Sequence, residues 1–414
     1  MQEDYTEVTK CRVCDSSNLK IYMDLGEMPL VNEFLTSPSE FSTEKKFPLA
    51  VNYCEDCSFS QLTGSVNPEV LFRNYIYRSS ISDSFGKHCK SLSDELGQTL
   101  ALDGDLVVDI ASNDGYLLRP FKAAGNRVLG VDPARNLAEI ANASGIETIP
   151  EFWNEDVGRR LSHEYGPAKL ITAFNVFAHV PDVQGFVKGV KHLLDPKGYF
   201  VLEAPHLQTL MEKGAFDTIY HEHVSYLSVK PMSQLMDNHG LRLARTKKTS
   251  IHGGSIRMYV EHKESPDTSD GSTQQIIEEE RVAGLHHFEG YSPLRNTAER
   301  IKNDLVSKLI ELKSEGKTVA GFGASAKGNI LLNFANVGAD LMDCVFDDTL
   351  EKQNKFYPGV HIPIFSREKM NEVNPDYLVL LPWNFKKELI EKTPEFRGNG
   401  GKYIVLTPKL EIME

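Results

Sequence analysis

The sequence predicts an α/β protein, with a small cysteine-bearing module at the amino end and two Rossmann-like α/β units after it. Three observations carry that expectation. Two CxxC pairs stand near the start, an apolar strand-turn-helix-strand unit runs from Leu106 to Pro133, and a glycine-rich version of the same unit opens at Thr318. In both units the apolar strands close on acids, Asp109 and Asp132 in the first and Asp347-Asp348 in the second. Sheets of this kind receive their ligands at the carboxyl edge of the strands.

With 414 residues the chain exceeds what one hydrophobic core organises. Three domains are expected, over residues 1–73, 74–264 and 265–414. A hydrophobic fraction of 41% and a charged fraction of 25% describe an ordinary soluble globular protein. The formal net charge of −13 argues against nucleic acid as a partner, because phosphate backbones are met by basic faces. No apolar run is long enough to span a bilayer and no secretory pattern opens the chain, so no membrane partner and a cytoplasmic setting are expected. Composition leaves the oligomeric state open, and a monomer is compatible with it.

Cys11-Arg-Val-Cys14 and Cys54-Glu-Asp-Cys57 lie 39 residues apart. Thiolates three positions apart on a tight turn both point inward, and two such knuckles make a tetrahedral four-sulfur zinc site. With every position filled by protein, that zinc is structural. Cys89 and Cys344 stand alone and read as small buried residues. Asn67 to Ser84 reads as a helix leading into Tyr75-Ile76-Tyr77, where a loop could fold over the neighbouring site.

In the first α/β unit the turn Ala111-Ser112-Asn113-Asp114-Gly115 lacks the GxGxxG pattern of a dinucleotide loop. One glycine among small polar residues suits a nucleoside that is uncharged or bears a carboxylate, and S-adenosylmethionine is the leading candidate. The cofactor candidates are Asp109, Ala111, Asn113, Gly115, Tyr116 and Asp132, with Asn175 at the end of the later strand Leu170 to Phe174. Alternating helices and strands continue to Glu203, and Leu241 to Lys248 with Gly254 to Glu261 form an antiparallel pair. Five parallel strands followed by such a pair match the sheet of Rossmann-like methyltransferases.

The densest chemistry is Tyr220-His221-Glu222-His223-Val224-Ser225-Tyr226. Two imidazoles, a carboxylate and two phenols fall within seven residues. The HxH pair is compatible with a metal, but no third ligand stands nearby, and proton transfer is the more economical reading. Imidazole titrates near neutrality, a carboxylate can hold its tautomer, and phenols can donate to an oxygen that becomes negative.

CRVC with CEDC, then DIASNDGYLL, NVFAHV, YHEHVSYLS and GFGASAKGN, resembles the sugar-nucleotide C-methyltransferases of deoxysugar biosynthesis. The resemblance runs through nearly the whole chain. It implies a zinc-binding domain, a class I S-adenosylmethionine domain and a carboxyl-terminal Rossmann-like domain. It also implies a thymidine-diphosphate-linked keto-deoxysugar as substrate, deprotonated beside its ketone and methylated at the resulting carbanion, on the way to the branched sugars of antibiotics or surface polysaccharides. Carried over by motif, His223 is the catalytic base and Tyr220 and Glu222 assist. His179 and a tyrosine of the YxYxS stretch line the pocket. The motif does not separate Tyr75 from Tyr77, and Tyr75 is favoured.

In the last unit Gly321-Phe322-Gly323-Ala324-Ser325-Ala326-Lys327-Gly328 resembles a phosphate-binding turn. Gly323, Ser325, Lys327 and Asp347 are the candidate contacts to the substrate's nucleotide. A packing turn that needs small residues is the plainer alternative. Two further readings stay open on the residues alone. One is an NAD-dependent oxidoreductase acting on a nucleotide sugar, with Asp347 about twenty residues past the glycine-rich turn. The other is a zinc-bearing scaffold that binds nucleotide without turnover.

Overall fold

A computed structural model describes residues 4–73, 78, 83–407 and 409–414. Tyr75 and Tyr77 lie outside the described residues.

The middle of the chain builds a seven-stranded sheet from β1 (Leu106–Ile110), β2 (Arg127–Val131), β3 (Thr148–Ile149), β4 (Ala168–Phe174), β5 (Leu194–Pro205), β6 (Leu241–Thr249) and β7 (Ser255–His262). Their spatial order is β6-β7-β5-β4-β1-β2-β3. From β5 to β3 all neighbours are parallel, while β7 runs antiparallel between β5 and β6. Val107, Val108, Ile110, Leu129 and Ile171 are wholly buried, as apolar strands covered on both faces require. Asn154 caps the helix Glu155–Tyr165 and Asp182 caps Val183–Leu193, each side chain accepting from a backbone N–H at 2.9 Å.

The first module is an antiparallel sheet of Leu19–Pro29, Lys46–Cys54 and Ser60–Leu62. Its fourth strand comes from far along the chain. Ser225–Tyr226, in the histidine-rich stretch, pairs with Ser60–Leu62, placing Ser225 opposite Gln61 and Tyr226 opposite Ser60.

The last unit holds six strands in the order Ile364–Phe365, Val345–Phe346, Val319–Phe322, Tyr377–Leu380, Lys402–Val405 and Glu411–Met413. The first five are parallel, and the last turns back antiparallel. The strand expected to close on Asp347-Asp348 is reduced to Val345–Phe346. The helix Ser292–Ser314 buries Leu294, Ala298, Ile301, Leu305, Leu309 and Leu312, a stripe at helical spacing. That stripe shares one core with Tyr22 and Leu25 of the first module and with Phe216, Ile219 and Val224 of the histidine-rich loop. The loop is therefore packed between modules.

Candidate active site

A cavity of about 1280 Å³ opens at the carboxyl edge of the seven-stranded sheet, and all three parts of the chain wall it. The middle unit contributes Ala111, Asn113, Asp132, Asn175 and His179, the loop contributes Thr218, Tyr220, His223, Ser225 and Tyr226, the first module Arg12, and the last unit Ser325, Lys327 and Asn384. Ala111, Asn113 and Asn175 all take left-handed backbone, with φ of 58°, 53° and 55°. Non-glycine residues in that region concentrate at functional sites, where surrounding structure holds the strain.

The cofactor candidates divide. Asp132 reaches the wall, with one carboxylate oxygen accepting from Asn113 N and the other from Ala134 N, both at 2.8 Å. Burial pushes its pKa up to about 6 against those two backbone donors. Asp109 does not reach the wall. It lies beneath the edge, accepting from the Thr172 hydroxyl at 2.6 Å, and burial raises it to about 7. Gly115 (φ 74°) is set by packing, because a Cβ there would stand 2.9 Å from the Ile146 side chain. Tyr116 is not among the residues lining the cavity and lies under the Arg119 guanidinium at 5.0 Å.

His223 sits between a carbonyl and a phenol. Its Nδ1 is 2.9 Å from the Thr218 carbonyl, which can only accept, so Nδ1 carries the proton. Nε2 therefore keeps its lone pair and accepts from the Tyr220 hydroxyl at 2.9 Å. Burial, then the neighbouring His179, push His223 down to about 3, while the Thr218 carbonyl acts the other way. The His179 ring meets that of His223 edge-on at 4.9 Å, and burial lowers it to about 4. Its Nδ1 is buried without a hydrogen-bond partner among the described residues. The Glu222 carboxylate accepts from Asn32 Nδ2 at 2.6 Å, while the acceptor at His223 Nδ1 is the Thr218 main chain.

In the last unit Ser325 caps the helix Ala326–Ala335, its hydroxyl accepting from Gly328 N at 3.1 Å. Lys327 lies 4.8 Å from the Trp383 ring and donates to Asn384 Oδ1 at 3.3 Å. Asp347 and Gly323 stay off the wall. Asp347 closes the turn by accepting from Ala324 N at 2.6 Å and Thr349 N at 2.7 Å. A Cβ on Gly323 (φ 87°) would lie 2.6 Å from Pro382.

Sequence reasoning gave no site role to Arg12, Thr218, Asp217 or Trp383. Trp383 donates from Nε1 to the buried Asp217 carboxylate at 2.6 Å, next to the carbonyl that holds His223. Only the scarcity of tryptophan, two in the chain, could have singled it out.

The four knuckle sulfurs lie within 4.8 Å of one another, with Cys11 to Cys57 at 3.5 Å and Cys14 to Cys54 at 3.6 Å. A tetrahedron of zinc–sulfur bonds of about 2.3 Å spaces its sulfurs by about 3.8 Å, so the set fits zinc with no position left for water.

Fold and cavity together define an α/β methyltransferase that carries a zinc module and a second α/β unit. Family models for a zinc binding domain, a methyltransferase domain and a C-methyltransferase C-terminal domain match residues 11–72, 85–246 and 250–408. The C-methyltransferase NovU of Streptomyces niveus is 36% identical over 100% of this chain and 99% of its own length. The chain therefore belongs to the S-adenosylmethionine-dependent C-methyltransferases with a structural zinc site. That membership sets aside the oxidoreductase and the inert scaffold. A ubiquinone biosynthesis O-methyltransferase of Coxiella burnetii is 24% identical over 37% of this chain and 70% of its own. Among solved structures, magnesium protoporphyrin IX methyltransferase of Synechocystis PCC 6803 with bound SAM gives a TM-score of 0.33 at 17% identity, covering 42% of this chain and 78% of its own. That likeness is too low to carry a conclusion. No described helix is long and apolar enough to cross a membrane.

Proposed function

We propose that the enzyme deprotonates the carbon beside the ketone of a nucleotide-linked 4-keto-deoxysugar, thymidine-diphosphate-linked by the motif resemblance, and methylates that carbon in branched deoxysugar biosynthesis. One observation supports this above the others. A neutral imidazole with its lone pair at Nε2, beside a phenol donor, stands in the same cavity as the methyl-donor edge of the sheet.

Bound S-adenosylmethionine supplies an electrophilic methyl group. Asn113, Asp132 and Asn175 would hold it, since the Asp132 oxygens keep lone pairs for ribose hydroxyls beyond their two backbone donors. His223 Nε2 takes the substrate's α-proton, and the Thr218 carbonyl keeps the ring in the tautomer that can do so. Burial by itself strongly disfavours the imidazolium. The negative charge that develops on the ketone oxygen supplies the partner that makes proton uptake favourable. Tyr220, His179 and the Lys327 ammonium line the same space and can stabilise that oxygen, each donor contributing a few kcal/mol. The knuckle thiolates suit a reducing compartment, and we place the enzyme in the cytoplasm.

The test is mass spectrometry of reactions with a panel of nucleotide keto-deoxysugars in deuterated water. Methyl gain on carbon, with deuterium exchange that depends on His223, is expected. Methyl gain on oxygen, or none with any member, would overturn the reading.

A further inference from the structure

We propose that Arg73 is a positioning residue for the methyl donor: its guanidinium ties together the loops after β2 and β3, which would enclose the donor's adenosine. This rests on the reading of Asp132 as the ribose ligand.

Arg73 follows the short helix Pro68–Phe72, at the end of the first module. It is itself off the cavity wall, yet Glu69, Pro133 and Phe152, all of which it touches, line the cavity. Its Nε and Nη2 donate to the two oxygens of Glu69, Nη2 at 2.7 Å. Its Nη1 lies 3.4 Å from the Pro133 carbonyl and 3.4 Å from that of Pro150. The guanidinium carbon stands 4.6 Å from the centre of the Phe152 ring. Bonds of 3.4 Å are long and weak one by one. Their weight is in the span, because a single rigid fork reaches a carboxylate, two carbonyls and an aromatic face.

The loops that it spans have little other support. β3 is two residues long and closes the sheet at its edge, so few ladder bonds fix the chain beyond Ile149. Pro133 follows Asp132 directly, and Asp132 N donates to Ile149 O at 3.0 Å. A shift of either loop therefore moves the Asp132 carboxylate. Glu69 neutralises the guanidinium, which is why Arg73 acts on the loops and not on a ligand charge. The residue before it, Phe72, meets the His179 ring edge-on at 5.5 Å, so one short segment touches both the donor rim and the catalytic imidazoles. Arg73 and Glu69 keep 26% and 48% of their side-chain surface exposed, and an ion pair so open to water adds little to stability. The expected consequence is in donor affinity.

The measurement is isothermal titration of S-adenosylhomocysteine, and of 5′-methylthioadenosine, which lacks the amino-acid end, into wild type, Arg73→Ala, Arg73→Lys and Asp132→Ala. Donor KM, kcat and Tm are read on the same proteins. Arg73→Ala should weaken both ligands by a common factor of about five to ten. Arg73→Lys, which keeps the charge and loses the fork, should weaken both about threefold. Donor KM should rise in step, with kcat at saturating donor within about twofold and Tm within about 2 °C of wild type. Lower Tm and kcat at unchanged affinity would make Arg73 a mere structural tie and overturn the proposal. Weakening of S-adenosylhomocysteine alone would place the effect at the amino-acid end and overturn it as well. If Arg73→Ala does not fold, Arg73→Lys decides. Asp132→Ala that weakens neither ligand would sink the ribose reading and the proposal with it. Asp132→Ala that weakens both, beside Arg73 variants that weaken neither, would sink the proposal alone.

Discussion

His223 donates from Nδ1 to the carbonyl of Thr218, five residues earlier in the same loop, at 2.9 Å. A backbone acceptor cannot be protonated away, so the tautomer that leaves Nε2 basic is fixed by the fold. His223→Asn should lower kcat by about a thousandfold or more, the scale of a lost general base together with its positioning. S-adenosylhomocysteine affinity should change by less than about twofold. Retained turnover with weakened cofactor binding would remove His223 from this role.

Asp132 holds the turn through Asn113 and Ala134. Asp132→Ala should raise the dissociation constant for S-adenosylmethionine about ten- to a hundredfold, through lost hydrogen bonds to a charged acceptor. The kcat at saturating donor should move little. Equilibrium titration reads the first and saturation kinetics the second, and unchanged affinity would show that Asp132 does not touch the ribose.

Trp383→Phe removes the indole donor that reaches from the last unit to Asp217. It leaves a buried carboxylate short of its partner beside Thr218, at a cost of about 1–3 kcal/mol. A drop in kcat of about three- to tenfold is expected, with S-adenosylhomocysteine affinity kept. A silent variant would mean that the loop is held by its apolar core alone.

Stability should fall as the unliganded protein is acidified. His179, His221 and His223 all have folded pKa values below the ordinary 6.5, at about 4, 4 and 3, because burial opposes their charge. Below 6.5 the unfolded chain binds protons that the folded chain does not, and at pH 5 this costs roughly 2 kcal/mol per histidine. Asp109 and Asp132 act in the opposite sense. Raised to about 7 and about 6, they take up protons in the folded state first, so their contribution is present at low pH and fades as pH rises. The balance is a net loss of about 2 kcal/mol between pH 7 and pH 5. Thermal melts should register a lower Tm at pH 5, and a higher one would show that the carboxyls dominate.

Cys11→Ser with Cys14→Ser should lose zinc and lower Tm by more than about 10 °C, because metal binding is folding free energy for such modules. Activity should fall with it, since the strand Ser225–Tyr226 is anchored on the knuckle sheet. Metal analysis alongside circular dichroism checks both. A zinc-free variant with native melting would dismiss the structural role.

The sheet at the centre was legible because its signals are local. Leu106-Val107-Val108 and Val128 to Val131 are apolar runs with acids at their ends, and burial on both faces demands that pattern. The density of Tyr220 to Tyr226 likewise marked the loop. What holds those side chains was not legible. The partner of His223 is a main-chain carbonyl, which has no residue letter, and the partner of Glu222 is Asn32, 190 positions away. Arg12 carries no signal of its place on the cavity wall, because nothing in CRVC says which way its second residue faces.

The pairing of Ser225–Tyr226 with Ser60–Leu62 also bears on how the chain is made. A ribosome must emit more than a hundred and fifty further residues before the first module can receive its last strand. Until then that sheet keeps a raw edge, open to any stray strand. Such long-range closure is slow, so the enzyme becomes whole only when its beginning and its middle meet. A transplanted zinc module would bring a border that the recipient's own loop has never learned to fill.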